Sequence, residues 1–427
     1  MAQEHTSVRE TLDESMRIRE FLRAWVRASG KGGCASANQS STVGGVDSRI
    51  LILTIAVFIT GLAENVFIGI LPDVARGLGV TESEASVVIS VFSVTYAIFA
   101  PIAALISYQF DAKPTLVIAI AIFASSNAPV VIGGSGLLLI SASRIVTATA
   151  CAQISICAVA CAVRIVSERY RARAIAAVYL GISSSLFLGV PLGVWITHLI
   201  GWRAVGLAMI GLSIVALSLV LFRLPNIGPR SKGLLFGRLY LAHFRDRRQM
   251  MAQCVSILFI AGHFTLFSYL TSYAASKGFS GPGWEASLYA VFGSSGVAGG
   301  MLAGIFSDLA GRRLALVASP AIYLVTTLLL CVSESSIFFF ASLSLWGCAS
   351  WSISPIVQSY IADLARSPND IVIGANVTAM HIGVAGGAAV GGGLLASYDV
   401  SVLPMGAAGL AAMALATAIL SVRNSHS

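Results

Sequence analysis

Three side chains that can carry charge lie where hydrocarbon should surround them: Glu64, Arg144 and His263. A charge inside a bilayer is costly unless it is paired or wetted, so an intramembrane ionisable residue is a functional candidate. Glu64 precedes the end of the first long apolar segment by about seven residues, and Arg144 follows the start of the fourth by about seven, so both lie roughly 10 Å below one boundary. The chemistry this suits is proton carriage or gating by the carboxyl, with protonation altering its contact with the guanidinium. A permanent ion pair that fixes one helix against another is the structural alternative. His263 stands about as far along the seventh segment as Glu64 does along the first. It can titrate near neutral pH or act as a neutral hydrogen-bonding contact. Asn65, Tyr96, Thr265, Tyr269, Trp346, Trp351, Gln358 and His381 are further cavity candidates, offering ring faces and hydrogen bonds near mid-membrane.

The elements that must hold these residues follow from composition. Of 427 residues, 56% are hydrophobic and 11% charged, with a mean hydropathy of +0.85. A soluble domain carries about a quarter charged residues, because its surface faces water. The apolar residues come in blocks long enough to cross a bilayer at about 20 residues each. Without strand-like alternation such blocks must be helices, which satisfy their own backbone hydrogen bonds in lipid. Twelve segments are expected: 50–71, 84–107, 115–133, 137–163, 175–199, 204–222, 251–273, 285–306, 314–332, 336–362, 374–397 and 401–421. The reading is an all-α membrane protein.

The division is expected to be a tail over 1–48, a six-helix bundle over 49–223, a linker over 224–250, a second six-helix bundle over 251–421 and a tail over 422–427. Residues 1–48 have no signal-peptide core, so the first span is expected to target the chain. Met16 to Arg27 mixes apolar and arginine residues, as a basic helix on a membrane surface or a polar tail would. The net charge of +8 collects in loops and tails, which points to topology and not to nucleic acid. With the N-terminus inside, only Arg76, Arg203 and Lys277 fall outside, so the positive-inside rule puts both termini in the cytoplasm. Of the seven cysteines, none has metal-ligand spacing with a histidine, and they read as small packing residues. No phosphate loop, nucleophile elbow or metal-binding histidine helix is present, so no enzyme activity, ATP hydrolysis, metal or cofactor is expected.

Gly304, Asp308, Gly311, Arg312 and Arg313 read G-x-x-x-D-x-x-G-R-R between segments eight and nine. Glycine permits the tight turn, and the charges can latch helix ends in one state and release them in another. The equivalent turn from Ala104 to Lys113 lacks the glycine and the matching Asp. Segment five carries Gly181, Gly189, Pro191 and Gly193. Together these motifs resemble the major facilitator superfamily, nearest to its arabinose-efflux-like drug:proton antiporter branch, over about residues 50–420. The resemblance implies the major facilitator fold and proton-coupled efflux of a small molecule, a sugar or drug-like compound, by a monomer in the inner (plasma) membrane. His381 stands where that branch usually has Asn. Stripes of small residues on segments five (Gly181, Ser185, Gly189, Gly193), eight (Gly296, Gly300, Gly304) and eleven (Gly383, Gly387, Gly391) are expected to form moving contacts between bundles. A proton-coupled uptake symporter and a transport-like membrane sensor are the alternatives.

Overall fold

The computed structural model describes residues 42–43, 46–132, 136–167, 170–228, 246–364 and 369–423. The basic stretch at Met16–Arg27 and most of the linker expected at 224–250 lie outside them. Residues 42–43 and 46–47 form a separate short ladder, β1 (Thr42–Val43) antiparallel to β2 (Val46–Asp47).

From Ser48 onward, twelve helices among the described residues are long and apolar enough to cross a membrane. They are α1 (Ser48–Gly69), α2 (Glu82–Gln109), α3 (Ala112–Val131), α4 (Leu137–Ile165), α5 (Arg173–Ile200), α6 (Arg203–Arg223), α7 (Arg247–Phe267), α8 (Pro282–Ala310), α9 (Arg312–Cys331), α10 (Ser336–Ile361), α11 (Gly374–Ser397) and α12 (Val400–Arg423). Side-chain caps mark several starts. Thr81 and Glu84 form a capping box before α2, Asp246 accepts from the backbone N–H groups of Arg248 and Gln249 at α7, and Ser335 accepts from Phe338 N–H at α10. Such caps satisfy N–H groups that a helix leaves unpaired in its first turn. Gly201 (φ 97°) lets the chain reverse between α5 and α6, and Gly311 (φ 86°) does so between α8 and α9.

α1 packs on α4 and α5, α2 on α4, and α3 on α4 and α6. α7 packs on α11 and α12, α8 on α10, and α9 on α12. The first six helices meet the last six chiefly through α2 with α11 and α5 with α8. One end of the array is arginine-rich; the other carries Arg76, Arg203 and Lys277 and is termed the arginine-poor end.

The small-residue stripes face within each set of six, which corrects the expectation of moving contacts between sets. A Cβ on Gly181 would lie 2.4 Å from Thr54 O, and one on Gly193 would lie 2.4 Å from Val66 Cγ2, so the α5 stripe seats on α1. Gly387 in α11 similarly presses on Ala261 O of α7, and Gly296 in α8 on the Trp351 ring of α10. Close backbone approach makes these van der Waals interfaces dense in a solvent that provides no hydrophobic drive between helices.

Candidate functional site

The hydrogen bonds that join the two sets of six concentrate at the arginine-poor end. Thr271 Oγ1 donates to Gly69 O (3.2 Å) and shares a hydrogen bond with Tyr289 Oη (2.9 Å). Ser83 Oγ donates to Gly392 O (2.8 Å), and Ser272 Oγ to Glu82 Oε2 (2.5 Å). His198 Nε2 lies 2.8 Å from Glu285 Oε2, joining the end of α5 to the start of α8. Neither the histidine nor these carboxylates stood out in the sequence, although a His and a Glu flanking spans on the arginine-poor side were the available signal.

Deeper in, α5 contains a π-helical turn at Ser185–Gly189. Pro191 has no N–H to give to the preceding turn, and its ring crowds the carbonyl four residues earlier, so a widened turn relieves the clash. That turn brings Phe187 against Gly293 of α8, where a Cβ would lie 2.8 Å from Phe187 N. The point at which α5 touches α8 is thus built by an irregularity that Pro191 imposes, while Gly189 and Gly193 face α1.

Glu64, Tyr96 and His381 come together where α1, α2 and α11 approach one another. The Tyr96 and His381 rings stack with centroids 3.8 Å apart at 19°, joining α2 to α11. His381 Nδ1 lies 4.0 Å from Glu64 Oε1, and the Glu64 side chain is 20% exposed. Arg144 lies nearby without forming an ion pair to Glu64. Its guanidinium carbon sits 4.5 Å from the Phe67 ring centroid and 4.2 Å from that of Phe92. Nε reaches Val88 O at 3.4 Å, while Nη1 and Nη2 have no hydrogen-bond partner. The two ring faces offset part of the lost hydration of a buried cation. What they leave unmet is an anionic partner, and Glu64 is the carboxylate at hand.

His263 is not brought to that group. It is enclosed in the last six helices by Phe264, Phe267, Phe292, Tyr323 and Trp346, with neither ring nitrogen hydrogen-bonded. Trp346 belongs to this aromatic cluster. Of the other cavity candidates, Asn65 turns back to Gly61 O, Thr265 bonds Ala261 O and Gly387 O, and Tyr269 donates to Ala388 O. These three serve helix packing in this state. Trp351 is half-buried against Gly296. Gln358 donates to Ser354 Oγ and to Asn376 Oδ1, and Asn376 donates to Gln253 Oε1 and Ser256 Oγ. That network ties α10, α11 and α7; its Asn376, Gln253 and Ser256 were not singled out from sequence.

In the last turn of α8, Asp308 is exposed and forms no ion pair among the described residues, while Arg312 and Arg313 at the start of α9 are engaged elsewhere. Gly304 has open space around it.

The profile described as Major Facilitator Superfamily matches residues 53–388. The chain is 30% identical to the uncharacterized MFS-type transporter YbcL of Bacillus subtilis (strain 168) over 348 residues, 81% of this chain and 88% of the relative. It is 26% identical to the inner membrane transport protein YdhP of Escherichia coli (strain K12) over 382 residues, 88% and 97% of the two chains. Two solved structures share its fold at a TM-score of 0.68 and 13% identity. One is the peptide transporter POT in complex with alafosfalin (90% of this chain, 96% of the other), the other the nucleoside transporter NupG (87% and 99%).

Proposed function

This chain belongs to the Major Facilitator Superfamily and is a multi-pass secondary transporter with that fold, not an enzyme, and we propose that it exports a small molecule in exchange for protons. The observation that carries the proposal is the meeting of Glu64 with Tyr96 and His381 between the two sets of six helices, with the half-satisfied Arg144 close by. In this reading the sets are two bundles that rock about a central site. Positive charge puts the arginine-rich end and both termini in the cytoplasm of a plasma membrane, so the state described is closed to the outside. YdhP, named as an inner membrane protein, supports that location.

Glu64 carries the coupling proton. When it is ionised, its carboxylate turns to the unused Nη groups of Arg144; when it is protonated, it leaves them and contacts His381. Substrate, a sugar or a drug-like compound, competes for the Tyr96 and His381 rings. The exposed Asp308 fits a cytoplasmic latch released in the inward-facing state. His263 and the polar network around Gln358 are held in reserve as parts of the moving C-terminal bundle. Export, as opposed to uptake, rests on the likeness of Gly181, Gly189, Pro191 and Gly193 to the efflux motif. The transporter acts as a monomer.

Proteoliposomes under an imposed pH gradient test this. Sugars and cationic drug-like compounds are added, and lumenal pH is followed for the parent protein and Glu64→Gln. Substrate-triggered proton release in the direction opposite to substrate, lost in the variant, is expected. Substrate-stimulated proton entry alongside substrate would make the protein a symporter, and binding without flux would make it a sensor.

A further inference from the structure

One face of α10 looks toward the first six helices. Gln358 reaches α11 through Asn376, and its neighbour Ser359 reaches α8 through Ser307 (3.3 Å). Adjacent residues of a helix point about 100° apart, so the arc between these two contacts, where Pro355 lies, opens between α8 and α11. Those are the helices through which the last six meet the first six. Ser354, Pro355, Gln358 and Ser359 on and beside this arc are all partly exposed. Asn376 stands five residues before His381 on α11, so the level of Gln358 is about 7.5 Å along the helix from the Tyr96 and His381 stack, toward the arginine-rich end.

Hydrogen bonding fixes which atom of the Gln358 amide this face presents. Asn376 Nδ2 donates to Gln253 Oε1 (3.0 Å) and Ser256 Oγ (3.2 Å), which turns Asn376 Oδ1 toward Gln358. Gln358 Nε2 then gives both of its hydrogens within the protein, to Asn376 Oδ1 (3.2 Å) and Ser354 Oγ (3.0 Å). What remains is Oε1. It accepts no hydrogen bond among the described residues and, unlike the sealed amide oxygens of Gln153 and Gln249, keeps accessible surface. The side chains that hold this amide, Ser354, Asn376, Gln253 and Ser256, are uncharged. An ammonium brought here from water would meet no counter-charge, whereas a hydroxyl exchanges one hydrogen bond for another.

We propose that Gln358 is the substrate contact of the last six helices: Oε1 accepts from a hydroxyl on an uncharged end of the substrate, while the other end reaches the Tyr96 and His381 rings. This rests on the transport reading above and adds to it a requirement for a hydroxyl donor about 7.5 Å from the ring-stacking end.

The test uses the full-length protein in nanodiscs with two photoreactive probes, para-hydroxymethylbenzophenone and its methyl ether, which has no donor. Labelled peptides are mapped by mass spectrometry. The alcohol is expected to label segments 351–359 and 376–381 about threefold to tenfold more than the ether, the worth of one hydrogen bond. Gln358→Met, of like length but without the acceptor, should bring the two probes level, and Gln358→Glu, whose carboxylate accepts as the amide does, should keep the preference. Should Gln358→Met fail to fold, the parent ratio and Gln358→Glu decide. Proton exchange in liposomes is read separately: its absence with the preference intact would sink the coupling and leave the Gln358 contact standing. Equal labelling by the two probes, a preference that survives Gln358→Met, or no labelling of these segments would overturn the proposal.

Discussion

Gly293→Ala is the perturbation that most sharply separates the two states of this transporter. The added methyl would lie 2.8 Å from Phe187 N and 2.9 Å from Phe187 Cα and Cβ. Ordinary contacts there begin near 3.4 Å, and two of the three atoms are backbone that no side-chain rotation can move. Overpacking of this kind costs about 1–3 kcal/mol. The cost falls only on the state in which α5 and α8 touch, so the arginine-poor end should open. A difference of about 1–3 kcal/mol changes the ratio of states about 5- to 150-fold. The assay is pulsed electron spin resonance between labels at Arg76 and Tyr398, in a background without native cysteines. Arg76 has a side chain 76% exposed and Tyr398 is 65% exposed, so labels there leave the packing intact. The distance distribution should shift to longer separations in the variant. An unchanged distribution in a folded variant, or a lower melting temperature with no change in distance, would refute the reasoning.

His198→Ala removes the 2.8 Å contact to Glu285, whose partners are 28% and 12% exposed. The same labels should show a shift in the same direction but below about fivefold, since a partly solvated pair contributes about 0.2–1 kcal/mol. Gly181→Val should instead lower thermal stability, because its Cβ meets the backbone of Thr54 and Phe58; scanning fluorimetry should show a loss of about 1–3 kcal/mol or more. Phe92→Leu strips one ring from Arg144 at 4.2 Å. A loss of about 0.5–2 kcal/mol is expected in denaturant unfolding, and no loss would mean the guanidinium is held by other means.

The spans were legible because lipid demands unbroken apolar helix, and the twelve expected segments match the twelve helices with small differences at their ends. Those differences have physical causes. The expected segment 50–71 runs past the end of α1, where the chain breaks at Ile70 and restarts as the short helix Leu71–Leu78. Segment 251–273 likewise runs past Phe267 into Leu270–Ser276. Hydropathy registers the apolar run and is blind to a change of axis. Rotation about the helix axis was not legible. Arg144 turns its guanidinium between Phe67 and Phe92, and His381 on a distant helix approaches Glu64 instead. The same ambiguity of facing sent the glycine stripes to helices of their own set.

The central claim is that Glu64 yields its proton to substrate binding, and the most direct measurement is proton release from purified protein. Transporter in weakly buffered detergent, with a pH indicator, is mixed with a compound that the liposome screen has shown to be carried. About one proton released per molecule bound, absent in Glu64→Gln while that variant still binds, is the expected result. Equal release from both proteins would contradict the claim and move coupling away from Glu64.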